Sequence, residues 1–362
     1  MFLAERWEHG SEFHWLSYLP NASSAVVPWS KNGQFCGSGR DAFRILILHG
    51  LAARGWKRLW VPSYFCQEVV ASLLSTGVEV RTFSDGPVDA APDFDKIGFE
   101  PGDVLLRINF FGLRSVRSTS EPDRKCVEVI EDHTHDPWSD WTFASNADWC
   151  MASLRKTLPI PDGGVLWSPA GHPVPPAMPV TPERYDASLE KLVAMVLKRL
   201  YLEGHLIEKD TFRRLAISGE SHIASGQVSG MPAWTMNLLR TFPVETWREL
   251  RGRNHRILSA GLVGVTWVTV LQPQDSLGVC PFSGILVFDS PGRCEFVRQR
   301  LIASGVYPAV LWPLDKPVVS GIPKEHVDFS HRMLSIHCDM RYNESDMEHV
   351  AALVRKFGGL VG

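Results

Sequence analysis

Short apolar runs alternate with amphipathic stretches along the first half of the chain. The apolar runs predict strands, and the stretches between them show the three-to-four-residue spacing of apolar positions that is typical of helices. The predicted strands cover residues 58–63, 78–83, 103–112, 125–132, 149–153 and 163–168, and the predicted helices cover residues 39–49 and 68–77. Nearly continuous Val, Ile and Leu runs separated by helices indicate an α/β fold with a mostly parallel central sheet.

The second half of the chain has a different pattern. A proline-rich segment at 171–182 ends the alternation, and long amphipathic helices are predicted at 183–205 and 242–262. The remainder predicts a smaller C-terminal α+β lobe, with strands at 284–289, 306–312 and 332–339 and helices at 292–304 and 344–357. We therefore expect a large domain over residues 1–250 and a small domain over residues 251–362.

The composition excludes several classes of protein. The chain has 362 residues, with 37 Lys and Arg against 40 Asp and Glu, so the formal net charge is −3. This balance favours neither nucleic acid nor an anionic membrane as a partner. No apolar run approaches the roughly 20 residues of a membrane span. No secretory signal begins the chain, and the seven scattered cysteines are typical of reduced thiols. These features predict a cytoplasmic protein.

A glycine-rich turn precedes the first predicted helix. The sequence Gly37-Ser38-Gly39 lets backbone N–H groups approach a ligand, and Arg40 and Asp41 follow in the first helical turn. A helix N-terminus of this kind binds phosphate through its free N–H donors. The same residues also suit an ordinary turn and N-cap, so this motif alone leaves both interpretations open.

Two aromatic residues end the strand at 58–63. Ligands of parallel sheets bind at the carboxyl ends of the strands, where Tyr64 or Phe65 can cover a flat ring by stacking. Packing in the hydrophobic core explains the same residues equally well.

The strand at 125–132 delivers two acids to its carboxyl end. Glu131 and Asp132 are followed by His133 and His135. A metal site is one interpretation, but no second group of ligands follows along the chain, and we predict no metal. A solvated acidic loop is another interpretation. The third is an acid held beneath an organic cofactor, with a histidine beside it.

A lysine follows the next strand. Ser153 ends that strand, and Arg155 and Lys156 come directly afterwards. Burial and a cationic neighbour would lower the pKa of the Lys156 amine and favour its nucleophilic form. Considered alone, Lys156 fits a surface loop as well.

The four motifs together change this balance. An acid, a lysine, a phosphate-binding turn and an aromatic cover are the groups that pyridoxal 5′-phosphate (PLP) requires. At ~4 Å and an effective dielectric constant near 20, a carboxylate stabilises the protonated pyridine nitrogen by about 4 kcal/mol. The sequence therefore predicts a PLP site that contains Asp132 and Lys156.

The chain also resembles the DegT/StrS-type sugar aminotransferases, which are fold-type I PLP enzymes. The resemblance rests on segments 38–44, 60–80, 129–136, 153–167, 251–258 and 338–354. Glu-Asp-x-x-His followed by Ser-x-x-Lys and Gly-Gly is a fairly specific order. The resemblance implies a fold-type I architecture and a homodimer with sites at its interface.

The resemblance also implies roles for single residues. Lys156 matches the Schiff-base lysine and Asp132 the partner of the pyridine nitrogen. His135 falls where the family has Gln or His near the phenolic oxygen of PLP. The remaining implied cofactor contacts are Gly39, Arg40, Asp41 and Ser153 at the phosphate and Tyr64 or Phe65 over the ring.

The sequence departs from the family on the substrate side. Lys156 follows Ser153 by three residues and not by the usual five, and the family's Tyr-Asn loop is not recognisable at 225–239. Arg341, near the end of the last predicted strand, is a candidate clamp for a substrate carboxylate.

We expect a PLP-dependent aminotransferase. It would move an amino group from an amino acid donor to a ketone or aldehyde acceptor, such as a nucleotide-linked sugar, in a biosynthetic pathway. The alternative is another PLP reaction on the same scaffold, namely elimination, dehydration or cyclisation. Retention of Lys156 and Asp132 argues against a third class, a non-enzymatic regulator.

Overall fold

The computed structural model describes residues 5–16, 26–89, 91–115, 120–274 and 278–361. Within these residues the strands are β1 His9–Gly10, β2 Gln34–Cys36, β3 Arg58–Pro62, β4 Glu79–Phe83, β5 Asp103–Ile108, β6 Glu128–Asp132, β7 Trp149–Ser153, β8 Gly164–Trp167, β9 Val268–Val270, β10 Gly284–Phe288, β11 Val306–Tyr307 and β12 Met333–Ile336. The α-helices are α1 Gly39–His49, α2 Gln67–Leu74, α3 Asp140–Ala144, α4 Pro182–Leu202, α5 Lys209–Ser225, α6 Ala233–Leu239, α7 Val244–Gly261, α8 Pro291–Ala303, α9 Lys324–Ser330 and α10 Glu344–Gly358.

The central sheet has seven strands in the order β2-β8-β7-β6-β5-β3-β4. Strands β4, β3, β5, β6 and β7 pair in parallel. The other two pairs, β8 with β7 and β2 with β8, are antiparallel. The predicted α/β fold with a mostly parallel sheet is therefore confirmed, and the exception lies at the edge formed by β8 and β2.

The inner parallel strands are buried on both faces, as their apolar sequences predict, whereas the edge strand β4 is largely exposed. All six residues of β5 and all five of β7 are buried. One hydrophobic cluster packs α1 and α2 on one face of the sheet, and a second contains Trp138, Trp167 and Trp247. Because both faces are covered, ligands can reach the sheet only at the ends of its strands.

A three-stranded antiparallel sheet, β12-β10-β9, forms the small C-terminal lobe with α8 and α10. Strand β11 is only two residues long and pairs in parallel with the N-terminal β1, so the predicted strand at 306–312 is too long. The chain leaves the strand after Tyr307, and Leu311 and Trp312 then line a cavity at the central sheet. The predicted domain division at residue 250 falls within α7 and stays a prediction.

Helix α5 has no counterpart among the predicted helices. It packs along α4, and Gly219 allows the close approach, because a Cβ atom at this position would lie 2.8 Å from the carbonyl oxygen of Ala187. Among the described residues, no helix combines the length and the apolar character needed to cross a membrane.

Candidate active site

The end of β6 separates two acids onto opposite faces, as the alternation of a strand requires. Glu131 points into the protein, where its carboxylate accepts hydrogen bonds from Trp141 Nε1 at 3.0 Å and Ser145 Oγ at 2.7 Å. It also contacts His133 Nε2 at 3.0 Å. A ligand atom from each of Glu131, His133 and Cys150 lies within 4.8 Å of the others, but protein donors already occupy both oxygens of Glu131.

Asp132 lines a cavity at the carboxyl ends of the parallel strands. Its Oδ1 accepts a hydrogen bond from the backbone N–H of Thr134 at 2.8 Å. The side chain of Thr134 hydrogen-bonds to this carboxylate as well, and among the described residues no Lys or Arg pairs with it. Burial raises the pKa of this carboxyl group, because the charged form loses water without gaining a cation. The site thus contains a nearly buried acid that lacks a counter-charge.

Lys156 lines the same cavity. It ends a 3₁₀ turn, Leu154–Lys156, that follows β7 directly. Lys156 is exposed to solvent at the cavity, with Arg155 beside it in the chain and Glu220 on the same wall. The adjacent Arg155 and then desolvation lower the pKa of the amine to about 8, and the negative charge of Glu220 opposes them. A substantial fraction of the amine is therefore neutral near neutral pH.

The start of α1 forms another wall of the cavity. Ser38 caps the helix by accepting a hydrogen bond from the backbone N–H of Asp41 at 3.1 Å. Gly39 and Arg40, the first two residues of α1, line the cavity, and the first N–H groups of a helix have no partner within the helix. A Cβ atom at Gly39 would lie 2.5 Å from the Cβ of Ser153, so only glycine allows α1 to meet β7 here.

Asp41 is a predicted phosphate contact that does not line the cavity. Its carboxylate forms a 2.7 Å ion pair with Arg184 and accepts a hydrogen bond from Ser38 Oγ at 3.0 Å. Burial raises its pKa to about 6, and Arg184 opposes this rise. These contacts hold the first turn of α1 in place on the side that does not line the cavity.

The two aromatic candidates after β3 lie in different surroundings. Tyr64 is fully buried, and its hydroxyl donates to the carbonyl oxygen of Leu311 at 2.7 Å. Phe65 lines the cavity, together with Phe282 and Trp312. Of the two, Phe65 is therefore placed to contact a ligand.

His135 lies at the cavity wall beneath Trp312. The two rings stack with centroids 5.4 Å apart and an interplanar angle of 26°. The backbone N–H of Phe111 donates to His135 Nδ1 at 3.1 Å, and Phe111 adopts a φ of 55° to do so. Desolvation, followed by the charge of Lys156, lowers the pKa of His135 to about 3.

Several lining residues were not predicted from the sequence. Thr134 knits the loop after β6 to β7, because its hydroxyl accepts from the backbone N–H of Ser153 at 3.0 Å. Glu220 arrives from α5, and Trp312 arrives from the segment after β11. Thr134 lies inside the motif that contains Asp132 and His135, whereas Glu220 and Trp312 are remote from every motif in the chain and carry no sequence signal.

The cavity, of about 150 Å³, brings seven of the nine predicted residues to one place. They are Gly39, Arg40, Phe65, Asp132, His135, Ser153 and Lys156. The acid without a cationic partner fits a protonated pyridine nitrogen, the N-terminus of α1 fits a phosphate, and the amine fits an aldehyde. The residues present therefore fit PLP.

No protein-family model matches the sequence, and no curated protein matches it. Solved structures do match. PseC from Helicobacter pylori, an aminotransferase involved in pseudoaminic acid biosynthesis, has 13% identity, a TM-score of 0.60, and coverage of 91% of this chain and 87% of its own. The chain shares the fold of these sugar aminotransferases.

Two further structures agree with this fold. A DegT/DnrJ/EryC1/StrS aminotransferase from Brucella abortus has 16% identity and a TM-score of 0.56, covering 90% of this chain and 86% of its own. DesI, solved with its TDP-sugar product, has 14% identity and a TM-score of 0.58, covering 92% and 82%. At these identities the similarity shows the architecture, which confirms the fold implied by the sequence resemblance.

Proposed function

We propose that the protein is a PLP-dependent aminotransferase. It transfers an amino group from an amino acid donor to a ketone or aldehyde, and the acceptor is a nucleotide-linked sugar in a biosynthetic pathway. The observation that carries the proposal is the one cavity lined by Lys156, by Asp132 and by the first residues of α1. The sugar aminotransferases that share the fold support the same class of reaction.

Different residues of the cavity would bind different parts of the cofactor. The backbone N–H groups of Gly39 and Arg40 and the hydroxyl of Ser153 would bind the phosphate. Asp132 would hold a proton on the pyridine nitrogen, with about 4 kcal/mol of Coulomb energy at ~4 Å and an effective dielectric constant near 20. Bound PLP supplies an electron sink for a substrate carbanion.

Lys156 has two tasks in this proposal. Its neutral amine would hold the cofactor through the aldehyde group, and the same amine would take up and return a proton at the substrate. A pKa of about 8 suits both tasks, because neutral and protonated amine are both present near neutral pH. Phe65 would cover one face of the ring.

The test is the spectrum of the purified protein with PLP. We expect a visible absorption band that is absent in Lys156→Ala, and loss of that band when glutamate is added. Lys96→Ala, at a side chain that is 81% exposed, is the matched control and should keep the band.

Three results separate the possible functions. Loss of the band with glutamate supports transamination. A band that glutamate and other amino donors leave unchanged, with turnover of a substrate by elimination or dehydration, would replace transamination with another PLP reaction. Failure of the wild-type protein to bind PLP would overturn the proposal.

The expected assembly and location belong to the same proposal. The family resemblance implies a homodimer, and the small-molecule donor and acceptor are the partners we expect, without nucleic acid or membrane. Light scattering of the purified protein tests the dimer. A monomeric mass for a catalytically active protein would contradict it, and cell fractionation tests the cytoplasmic location.

A further inference from the structure

Glu220 gathers three basic side chains beside the candidate reactive lysine. Its two oxygens accept from Arg155 Nη1 at 2.8 Å and Nη2 at 2.7 Å, a two-point contact of guanidinium and carboxylate. Lys191 Nζ donates to the same carboxylate at 2.6 Å, and Arg40 Nη2 lies 3.4 Å away. Burial opposes ionisation of Glu220, but Arg155 and Lys191 outweigh it and lower its pKa to about 2.

The packing of α4 and α5 brings this carboxylate to the cavity. Gly219 precedes it, and a Cβ atom there would lie 2.6 Å from Lys191 Cγ. Glycine therefore lets α5 lie close enough to α4 for Glu220 to reach Lys191. The same approach carries Glu220 to the cavity wall that Lys156 also lines. Arg155, which Glu220 contacts, directly precedes Lys156 in the 3₁₀ turn.

The charges that face Lys156 come from every element around it. They are Arg155 from its own turn, Glu220 from α5, Lys191 from α4, Arg40 from α1, Cys66 and Glu68 from the start of α2, and Asp132 and His135 from the end of β6. The side chain of Glu68 is 81% exposed, and its ion pair with Arg40 is long, at 3.9 Å. Glu220 is thus the one acid among these described groups that neutralises Arg155 and Lys191.

We propose that Glu220 is a positioning residue for Lys156, because it holds Arg155 and supplies the negative charge that balances the cations beside the reactive amine. The role rests on the proposed function, since it serves the amine that would bind PLP. Arg155 favours the neutral amine, and Glu220 limits that effect so that the amine can also carry a proton.

Two substitutions should move the titration of Lys156 in opposite directions. Glu220→Gln removes an anion, so the pKa of the amine should fall by about one unit. Arg155→Gln removes a cation, so the pKa of the Lys156 amine should rise by about one unit. A purely structural role for either residue would not produce shifts of opposite sign.

The measurement uses the protein without PLP. Acetic anhydride acetylates neutral amines, and the rate at Lys156 is followed by peptide mass spectrometry across pH. Asp210→Asn is the control, because Asp210 lies on the same helix, its side chain is 82% exposed and its carboxylate forms a loose 3.8 Å ion pair with Arg213. We expect its Lys156 titration to match that of the wild type.

Opposite shifts in the two variants support the role of Glu220, and shifts of the same sign or no shifts overturn it. If Glu220→Gln does not fold, as circular dichroism would show, the rise expected in Arg155→Gln decides the matter. The labelling needs no cofactor. A wild-type protein that binds no PLP would therefore defeat the proposed function, whereas the titration separately decides the assignment of Glu220.

Discussion

Two buried aspartates near the ends of strands have opposite surroundings. Asp132 ends β6 in the central sheet, and Asp339 follows β12 in the small lobe. Asp339 receives two hydrogen bonds from the guanidinium of Arg341, at 2.7 and 2.8 Å. Asp132 is hydrogen-bonded to Thr134, and among the described residues no guanidinium or ammonium group pairs with it.

The difference shows in their protonation. Burial opposes ionisation of both, but Arg341 outweighs it at Asp339 and holds the pKa well below its usual range. At Asp132 burial prevails, and the pKa is raised. A buried acid with a complete set of partners has a structural role, whereas one that faces a cavity without a cation is a candidate for binding a ligand that brings the cation.

This comparison also corrects the expectation for Arg341. Its guanidinium is committed to Asp339 and donates further to the carbonyl oxygen of Glu12 at 3.0 Å. Only 1% of its side chain is exposed, and it does not line the cavity of Lys156. Arg341 therefore joins the N-terminal segment to the small lobe and does not clamp a substrate carboxylate.

The largest expected effect on stability comes from breaking the ion pair of Asp339 and Arg341. Asp339→Ala leaves the Arg341 guanidinium buried without its counter-charge, so the free energy of unfolding should fall by about 3–5 kcal/mol. Urea denaturation measures it. Asp315→Ala, at an exposed acid paired with His331, is the control and should change stability by about 0.5 kcal/mol or less. Equal effects of the two substitutions would contradict the comparison.

Substitution of Asp132, which has no cationic partner, should change stability in the opposite direction. Asp132→Asn keeps an acceptor for Thr134 N–H and removes an uncompensated charge, so the unliganded protein should be equally stable or more stable, by up to about 1 kcal/mol. PLP affinity and turnover should fall sharply. Urea denaturation and a PLP titration of the same sample check both parts. A large loss of stability with unchanged PLP affinity would reverse the assignment.

The smallest effect is a dependence on pH. The raised folded-state pKa of Asp132 favours folding at low pH, and this contribution is lost as pH rises through that folded-state value. The stability gain of Asp132→Asn over the wild type should therefore be largest at neutral pH and shrink toward pH ~4, near the ordinary pKa of aspartate. Urea denaturation of both proteins from pH 4 to 8 measures it. A gain that does not change with pH would exclude a raised pKa.

The strands of the central sheet could be predicted because their apolar runs are long and uninterrupted. Strand β3 was predicted at 58–63 and lies at Arg58–Pro62. Helix α5 could not be predicted, because Ile217 is 64% exposed and the helix buries too few apolar side chains to give a clear apolar pattern. The antiparallel direction of β8 was also beyond the sequence, because apolar runs carry no information about strand polarity.

The candidate site could be predicted where its residues follow strands closely. Asp132 and Lys156 come from the ends of β6 and β7, which are neighbours in the sheet. The choice between Tyr64 and Phe65 needed coordinates, because adjacent residues after a strand point in different directions. Coordinates were also needed to place Glu220 at the cavity, because its position depends on how closely Gly219 lets α4 and α5 pack.

The contact between Phe111 and His135 limits what that imidazole can do. Nδ1 accepts the backbone N–H of Phe111, and the ring also hydrogen-bonds to the backbone of Asn109. Desolvation and the charge of Lys156 lower the pKa of the ring to about 3, so the imidazole is neutral near neutral pH. A ligand in this cavity would therefore meet an uncharged ring whose orientation two backbone contacts fix.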